Sequence, residues 1–314
     1  GGQKAIEREH KRGKLTARER VAALLDEDKP YIELGMLAGW EMYEEYGGCP
    51  AGGVVAVIGY VSGRLCMVLA NDATVKAGAW FPITAKKFTR MQEIALVNRI
   101  PVIYLVDSAG VFLPLQDEVF PDRFHFGRGF YYNSILSREG IPQIAAIMGS
   151  CVAGGAYLPI LSDEVIMVEG TSSVFLAGPY LVKAAIGEET DIETLGGART
   201  HFYISGTADY MAKNDREALE IIRRLIARMQ HKPPATVFDR VEPRPPRKPP
   251  EAIYEILPDD ITRPYDMYKV LECILDDYPF DEYKAGYGKT LICGYGRIDG
   301  WAVGIVANQR LVVK

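Results

Sequence analysis

The sequence predicts an α/β domain built on a largely parallel sheet. Two short apolar runs, Val102 to Val106 and Ile144 to Met148, have the composition of strands buried on both faces, and each leads into a glycine-containing turn. Helical segments lie between and after them, and this alternation is the pattern of a parallel sheet covered by helices. With 48% hydrophobic residues in 314, the chain has enough apolar material for a sizeable core.

Taken in order, Gln3 to Asp26 reads as helical, with Ala5, Leu15, Val21, Leu24 and Leu25 set among many charges. It is expected to be an exposed leading arm, residues 1–30, that docks on a partner surface. Val54 to Ile58 and Leu65 to Ala70 are β-rich and joined across Val61-Ser62-Gly63, which predicts a hairpin. Thr84 to Asn98 puts Phe88, Met91, Ile94 and Ala95 on one helical face. Further helices are expected around Phe126 to Ser137, Ala153 to Leu161 and Asp215 to Met229, with a third parallel strand at Glu164 to Val168. These elements make a first domain of residues 31–235.

A change of character follows. Pro233, Pro234, Pro243, Pro245, Pro246, Pro249, Pro250, Pro258 and Pro264 rule out a continuous helix, so residues 236–265 are expected to form a linker. Beyond it, Gly296 to Gln309 echoes the first hairpin at a constant offset: Gly59 matches Gly296, Gly63 matches Gly300, Ala70 matches Ala307 and Asn71 matches Asn308. Residues 266–314 therefore read as the incomplete start of a second copy of the fold, and the natural polypeptide is expected to continue past Lys314.

Composition narrows the functional classes. A net charge of -5, with 36 basic and 41 acidic residues interspersed, leaves no basic face for nucleic acid. The five cysteines show no C-x-x-C spacing, which argues against a zinc ribbon, another metal site or a disulfide framework. No apolar run reaches the roughly 18 to 20 residues of a membrane helix, and Gly1 does not open a signal peptide. A soluble protein of a reducing compartment is expected, in the bacterial cytoplasm or the mitochondrial matrix.

The run from Ile141 to Tyr157 delivers a strand into a small-residue turn, Gly149-Ser150-Cys151-Val152-Ala153-Gly154-Gly155-Ala156, and then a helix. Free N–H groups at such a turn can stabilise a negatively charged oxygen, as the enolate of a thioester requires. Gly154 and Gly155 are the principal candidates. Asp107-Ser108-Ala109-Gly110-Val111 ends the preceding strand in a second small-residue turn, where Gly110 or Val111 would supply an opposing N–H. Glycines in such turns also serve tight bends and helix packing, and spacing alone leaves both readings open.

Other groups carry alternatives. Ser150 and Cys151 lack a recognisable triad partner among His10, His125, His201 and His231, so a packing role is favoured for Cys151. Asp163 and Glu164 fit either a general base or a strand-entry turn. His125 and Arg128 share a helical face and fit either an acyl pocket or pairing with Asp117 or Asp122. Lys76, Lys86, Lys87 and Arg90 form a basic cluster suited to CoA phosphates or to a solvated helix face.

The order of strand, small-residue turn, helix, strand, G-x-x-x-x-G-G helix and acidic turn resembles the crotonase superfamily. Within it, Ala70-Asn71-Asp72-Ala73-Thr74-Val75-Lys76, Leu113-Pro114-Leu115-Gln116-Asp117-Glu118-Val119-Phe120-Pro121-Asp122-Arg123 and His125-Phe126-Gly127-Arg128 resemble the carboxyltransferase β subunits of biotin-dependent acyl-CoA carboxylases, methylcrotonoyl-CoA carboxylase above all. Phe175-Leu176-Ala177-Gly178-Pro179 and Gly196-Gly197-Ala198 continue the pattern, while His201-Phe202-Tyr203 departs from it. The resemblance implies a crotonase-type ββα superhelix and carboxyl transfer from carboxybiotin to an acyl-CoA, with 3-methylcrotonoyl-CoA of leucine catabolism foremost. Geranyl-, propionyl- or acetyl-CoA carboxylation, biotin-dependent decarboxylation, a biotin-independent hydratase or isomerase, and a non-catalytic assembly module stand as alternatives. It also implies biotin carried by a partner biotin carboxylase/carrier subunit, a homo-oligomer of dimers in a ring, most simply a hexamer, and an active site shared with a second domain. On the same ground Gly154 and Gly155 are assigned to oxyanion stabilisation; Gly110 and Val111 are expected from their turn to oppose them, and Ala153, Ala156, Lys76, Lys86, Lys87 and Arg90 are expected near CoA. His125, Arg128 and Phe175 are assigned to the acyl pocket.

Overall fold

The computed structural model describes residues 1–119, 122–123, 125–229, 240–260 and 262–311. Two compact units emerge, Gly1–Met229 and Gln230–Lys314. Phe120, Pro121, His231, Pro233 and Pro234, which figure in the sequence reading, lie outside the described residues.

The first unit runs α1 (Gln3–Lys11), α2 (Ala17–Leu24), β1 (Ile32–Glu33), β2 (Val54–Val61), β3 (Arg64–Asn71), α3 (Pro82–Asn98), β4 (Val102–Ser108), α4 (Gly127–Arg138), β5 (Gln143–Val152), α5 (Tyr157–Ile160), β6 (Glu164–Val168), β7 (Ser173–Phe175), α6 (Pro179–Ile186), α7 (Ile192–Gly196), β8 (Tyr210–Ala212) and α8 (Asp215–Arg228). Its sheet has the order β1-β2-β3-β4-β5-β6-β8, with β7 pairing the far end of β5. Only β1/β2 and β2/β3 are antiparallel; β3 through β8 pair in parallel. All seven residues of β4 are buried, as strands covered on both faces must be. The hairpin turn uses Ser62 at φ 48° and Gly63 at φ 79°, the left-handed pair that a two-residue hairpin loop demands.

In the N-terminal segment α2 departs from the expected exposed arm, whereas α1 is buried only at Glu9. Residues 17, 20, 21 and 24 form one face of α2, and Ala17, Arg20, Val21 and Leu24 are all buried there against the chain's own β2, β3 and α8. Thr16 and Glu19 close a capping box that starts the helix. The expected helix from Ala153 is also shorter, because a 3-10 turn occupies Ala153–Ala156 before α5 begins.

The strand pairing at the carboxyl end of β4 is irregular. Val106 lies opposite Ile147 but Ser108 lies opposite Cys151, so β5 bulges through Met148-Gly149-Ser150. A side chain at Gly149 is excluded, since a Cβ there would sit 1.9 Å from Asp107 Oδ1.

The second unit contains α9 (Ile253–Ile256), α10 (Met267–Leu271), β9 (Asp281–Tyr283), β10 (Leu291–Ile298) and β11 (Trp301–Asn308), with the antiparallel order β11-β10-β9. The structure lengthens the sequence repeat. Asp26 accepts hydrogen bonds from the Ser62 and Gly63 N–H groups of the first hairpin turn, and Asp276 accepts them from Asp299 and Gly300 of the second. Leu25 packs where Gly59 has no side chain, and Leu275 does the same at Gly296. Thr16 caps α2 as Asp266 caps α10, so the helix before each hairpin is also duplicated. Among the described residues no helix is long and apolar enough to cross a membrane.

Candidate active site

The carboxyl ends of β3, β4 and β5 bring three loops together. After β3, the chain passes through Lys76 and Ala77, both with positive φ, into Gly78, where a Cβ would stand 2.1 Å from the Asp107 carbonyl oxygen. Ala109 N–H donates to Ala77 O at 3.0 Å, Trp80 N–H to Gly110 O at 2.8 Å, and Phe112 N–H to Trp80 O at 2.9 Å. These bonds pin the 109–112 turn to its neighbour. Gly110 takes φ 91°, a conformation that favours glycine, and a Cβ there would meet Val152 O at 3.2 Å, so the β4 turn abuts the β5 turn.

Two candidate donors in the β4 turn are now distinguished. Gly110 N–H donates to Ser108 Oγ at 3.1 Å, and Ser108 Oγ in turn donates to Gly78 O at 2.7 Å. Gly110 is therefore corrected from oxyanion donor to turn residue. Val111 N–H donates to no described residue. On the β5 side, Ala153 turns the chain at φ 54°, the Gly154 N–H donates to no described residue, and Gly155 lies within the 3-10 turn Ala153–Ala156. Gly155 is buried, yet a Cβ on it would have nothing within 4 Å, so open space lies directly over this backbone. At Gly154 a Cβ would come 3.3 Å from the Phe126 ring.

An aromatic wall lies beside these turns. Phe126 meets Trp80 edge-on at 4.6 Å and Phe130 at 5.1 Å, and Phe130 meets Tyr157 at 5.7 Å. Phe175 is in register with Val152 on the other flank, its ring against Gly178 and Gly196. Apolar surroundings of this kind strengthen any hydrogen bond that the free N–H groups make to a charged oxygen.

Other candidates fall elsewhere. Lys87 is buried on α3 and donates to the carbonyls of Gly35 (3.0 Å), Ala51 (2.8 Å) and Val54 (2.6 Å), so it braces a loop instead of meeting CoA phosphates. Arg90 is exposed and pairs with Glu93 at 2.5 Å, while Lys76 and Lys86 are exposed. Ala156 is buried in the core and offers its side chain to no ligand, whereas Ala153 is exposed on the turn. Arg128 stacks over Tyr131 and Tyr132 at 4.2 and 4.8 Å. His125 precedes α4, its buried Nδ1 without a partner among the described residues. Neither pairs through its side chain with Asp117 or Asp122 among the described residues.

Glu164 opens β6 opposite Ile144, at the amino end of the sheet, where it pairs with Arg228 of α8. The strand from residue 144 to the glycine turn advances about 3.3 Å per residue, so this carboxylate lies far from the turns and is no base for them. Asp163 accepts the Gln143 N–H at 2.8 Å, a strand-entry role. Burial, followed by Asp107, pushes the Cys151 thiol up to about 12, leaving it neutral and packed. Among the described residues no cluster of His, Cys, Asp and Glu is placed to hold a metal.

Burial lowers the Lys87 ammonium from its usual value to about 8. Between that value and the ordinary lysine range the unfolded chain binds more protons at this site, so Lys87 makes stability rise with pH there. Lys87→Met is expected to remove that rise, to destabilise the fold by about 1–3 kcal/mol through three stranded carbonyls, and to leave CoA affinity unchanged. Urea titrations across pH 7 to 10.5 and a CoA titration check both halves.

A buried ionic network was not anticipated from the sequence. Arg20 is 1% exposed; its Nε reaches Asp215 Oδ2 at 2.7 Å, its Nη1 reaches Asp107 Oδ2 at 3.0 Å, and its Nη2 donates to the Met148 carbonyl at 3.2 Å. Lys14 reaches the same Asp107 oxygen at 2.8 Å and Glu9 at 2.7 Å. The available signal was the position of Arg20 on the otherwise apolar face of α2.

Two small-residue turns thus abut beside an aromatic wall at the carboxyl ends of β4 and β5, on an α/β sheet of mixed pairing. The chain belongs to the carboxyl transferase domain family, whose model matches residues 8–313. It is 48% identical over 314 residues to the biotin-dependent 3-methylcrotonyl-coenzyme A carboxylase beta1 subunit of Mycobacterium tuberculosis, covering 99% of this chain and 58% of that protein. To the mitochondrial methylcrotonoyl-CoA carboxylase beta chain of Dictyostelium discoideum it is 47% identical, covering 99% and 53%. A crystal structure of transcarboxylase 12S, described as a hexamer assembly with methylmalonyl-coenzyme A and methylmalonic acid bound, superposes with TM-score 0.88 at 32% identity, covering 98% of this chain and 60% of that one. The geranyl-CoA carboxylase beta subunit of P. aeruginosa gives TM-score 0.67 at 36% identity, with 98% and 56% covered. The chain thus spans between half and three fifths of the length of these relatives.

Proposed function

We propose that this chain supplies the acyl-CoA side of a carboxyltransferase that moves a carboxyl group from carboxybiotin to 3-methylcrotonoyl-CoA. The observation that carries it is the pair of abutting turns, with the unpartnered Val111 N–H on one and the unpartnered Gly154 N–H on the other, and open space over Gly155.

Carboxybiotin, delivered by a carrier subunit, supplies CO2 and a basic ureido nitrogen; no residue of this chain is assigned to it. For an α,β-unsaturated thioester, loss of the γ proton spreads negative charge through the double bond to the thioester oxygen. Val111, Gly154 and Gly155 would bind that oxygen as charge develops, which lowers the barrier because these donors need no reorganisation. The γ carbon of the dienolate then forms its bond to CO2. Phe126, Phe130 and Phe175 would exclude water from the acyl chain, and exposed Ala153, Lys76 and Lys86 would meet the CoA moiety. The two methylcrotonoyl relatives favour this acyl group, and the transcarboxylase neighbour favours assembly as a hexamer. The distance of Glu164 from the turns speaks against a hydratase.

Decarboxylation of methylglutaconyl-CoA, the reverse reaction, tests the proposal with the full-length protein and free biotin. Turnover that requires biotin is expected. Turnover without biotin, or none with biotin while geranyl- or propionyl-type substrates react, would overturn the proposed activity or its acyl group respectively.

A further inference from the structure

The paired turns depend on a register shift, and the shift has an ionic clamp. Because β5 bulges between Ile147 and Cys151, the 153–155 turn is drawn back alongside the 109–111 turn; regular pairing would carry it past. Met148, within that bulge, has its carbonyl held by Arg20 Nη2. Asp107, the β4 residue opposite the bulge, has one carboxylate oxygen held by both Lys14 and Arg20 and the other seated against Gly149. One guanidinium therefore grips both strands at the point where their register changes.

The second unit argues that the fold itself does not call for this arginine. Aligning the duplicated helices by their caps and their hairpin-binding aspartates, Thr16 with Asp266 and Asp26 with Asp276, sets Arg20 against Val270, a buried apolar residue. The same helical position thus holds a buried valine in one copy and a charged clamp in the other. Burying such a charge is costly, and its retention calls for a local role.

We infer that Lys14 and Arg20 are positioning residues for carboxyl transfer: by clamping Asp107 and the Met148 carbonyl they fix the spacing between the Val111 N–H and the Gly154–Gly155 N–H groups. This rests on the oxyanion reading of those turns. Neither residue touches the substrate. Their loss therefore weakens recognition of negative charge on the thioester oxygen and leaves recognition of CoA alone intact.

The test compares two probes by calorimetry on this chain: CoA, and the nitronate of a nitro-substituted CoA thioether, which carries the enolate's charge on oxygen. The unaltered chain is expected to prefer the nitronate. Arg20→Lys, which keeps the charge but loses the planar fork, is expected to lower that preference at least tenfold with CoA affinity unchanged within about twofold. Lys14→Gln, at the rim of the network, is expected to lower it about threefold, and it carries the test if Arg20→Lys does not unfold cooperatively. Variants that fold and keep the full preference would overturn the positioning role while leaving the oxyanion site standing. An unaltered chain without any preference would instead overturn the oxyanion reading and, with it, this inference.

Discussion

Gly155→Val in the full-length protein is expected to leave folding intact and to lower carboxyl transfer on the order of 100-fold or more. The effect is steric and local. Gly155 has an ordinary negative φ, and a Cβ built on it has nothing within 4 Å, so the substitution meets no protein atom at its first carbon. The branched side chain instead enters the space from which the Gly154 and Gly155 N–H groups would address the thioester oxygen. A thermal midpoint close to the parent's combined with lost turnover is the expected pair of results. Gly154→Val makes the instructive comparison, because its Cβ must push on the Phe126 ring at 3.3 Å and should cost stability as well as rate.

The largest effect on stability is expected from Arg20→Ala. The side chain is 1% exposed and compensates Asp107 and Asp215, whose carboxylates are themselves 5% and 3% exposed. Removing the cation leaves two buried carboxylates with less than their required partners, which costs about 3–5 kcal/mol. Lys14 still reaches Asp107, but Asp215 retains only the Leu15 N–H from the N-terminal segment. Urea unfolding of the two proteins side by side measures the difference. A change below 1 kcal/mol would mean that the network relaxes around the loss.

The fold was legible where one physical signal dominated. Val102–Val106 and Ile144–Met148 are apolar on both faces, as a strand covered on both sides requires, and the glycine-containing turns after them marked their ends. The hairpin at Ser62-Gly63 and its echo at Asp299-Gly300 were marked by residues that tolerate left-handed conformations. The N-terminal segment misled because its density of Arg, Lys and Glu reads as solvated, while three of those charges, Glu9, Lys14 and Arg20, are buried, Lys14 and Arg20 by partners up to 195 residues away. Long-range ion pairing leaves no local trace. Lys87, one of four cations between residues 76 and 90, likewise gave no hint that its ammonium folds inward onto three carbonyls.

At the site, sequence identified both turns but not which amides are free. Gly110 and Val111 are adjacent and chemically equivalent as N–H donors; what separates them is the Ser108 hydroxyl, which takes the Gly110 N–H. That choice depends on a side-chain rotamer and on the neighbouring Gly78 carbonyl, which belongs to another strand's loop. The relation between the turns was equally hidden, because it follows from the bulge through Met148-Gly149-Ser150 and not from spacing along the chain.

The central claim is that the Val111, Gly154 and Gly155 N–H groups hydrogen-bond to the thioester oxygen of a bound acyl-CoA. Isotope-edited infrared difference spectroscopy of 3-methylcrotonoyl-CoA labelled with carbon-13 at the thioester carbonyl reads that bond directly. The account predicts a carbonyl stretch at lower wavenumber in the bound state than in water, a shift reduced when Val111→Pro deletes one donor. A bound ligand whose carbonyl absorbs at its aqueous position would contradict it.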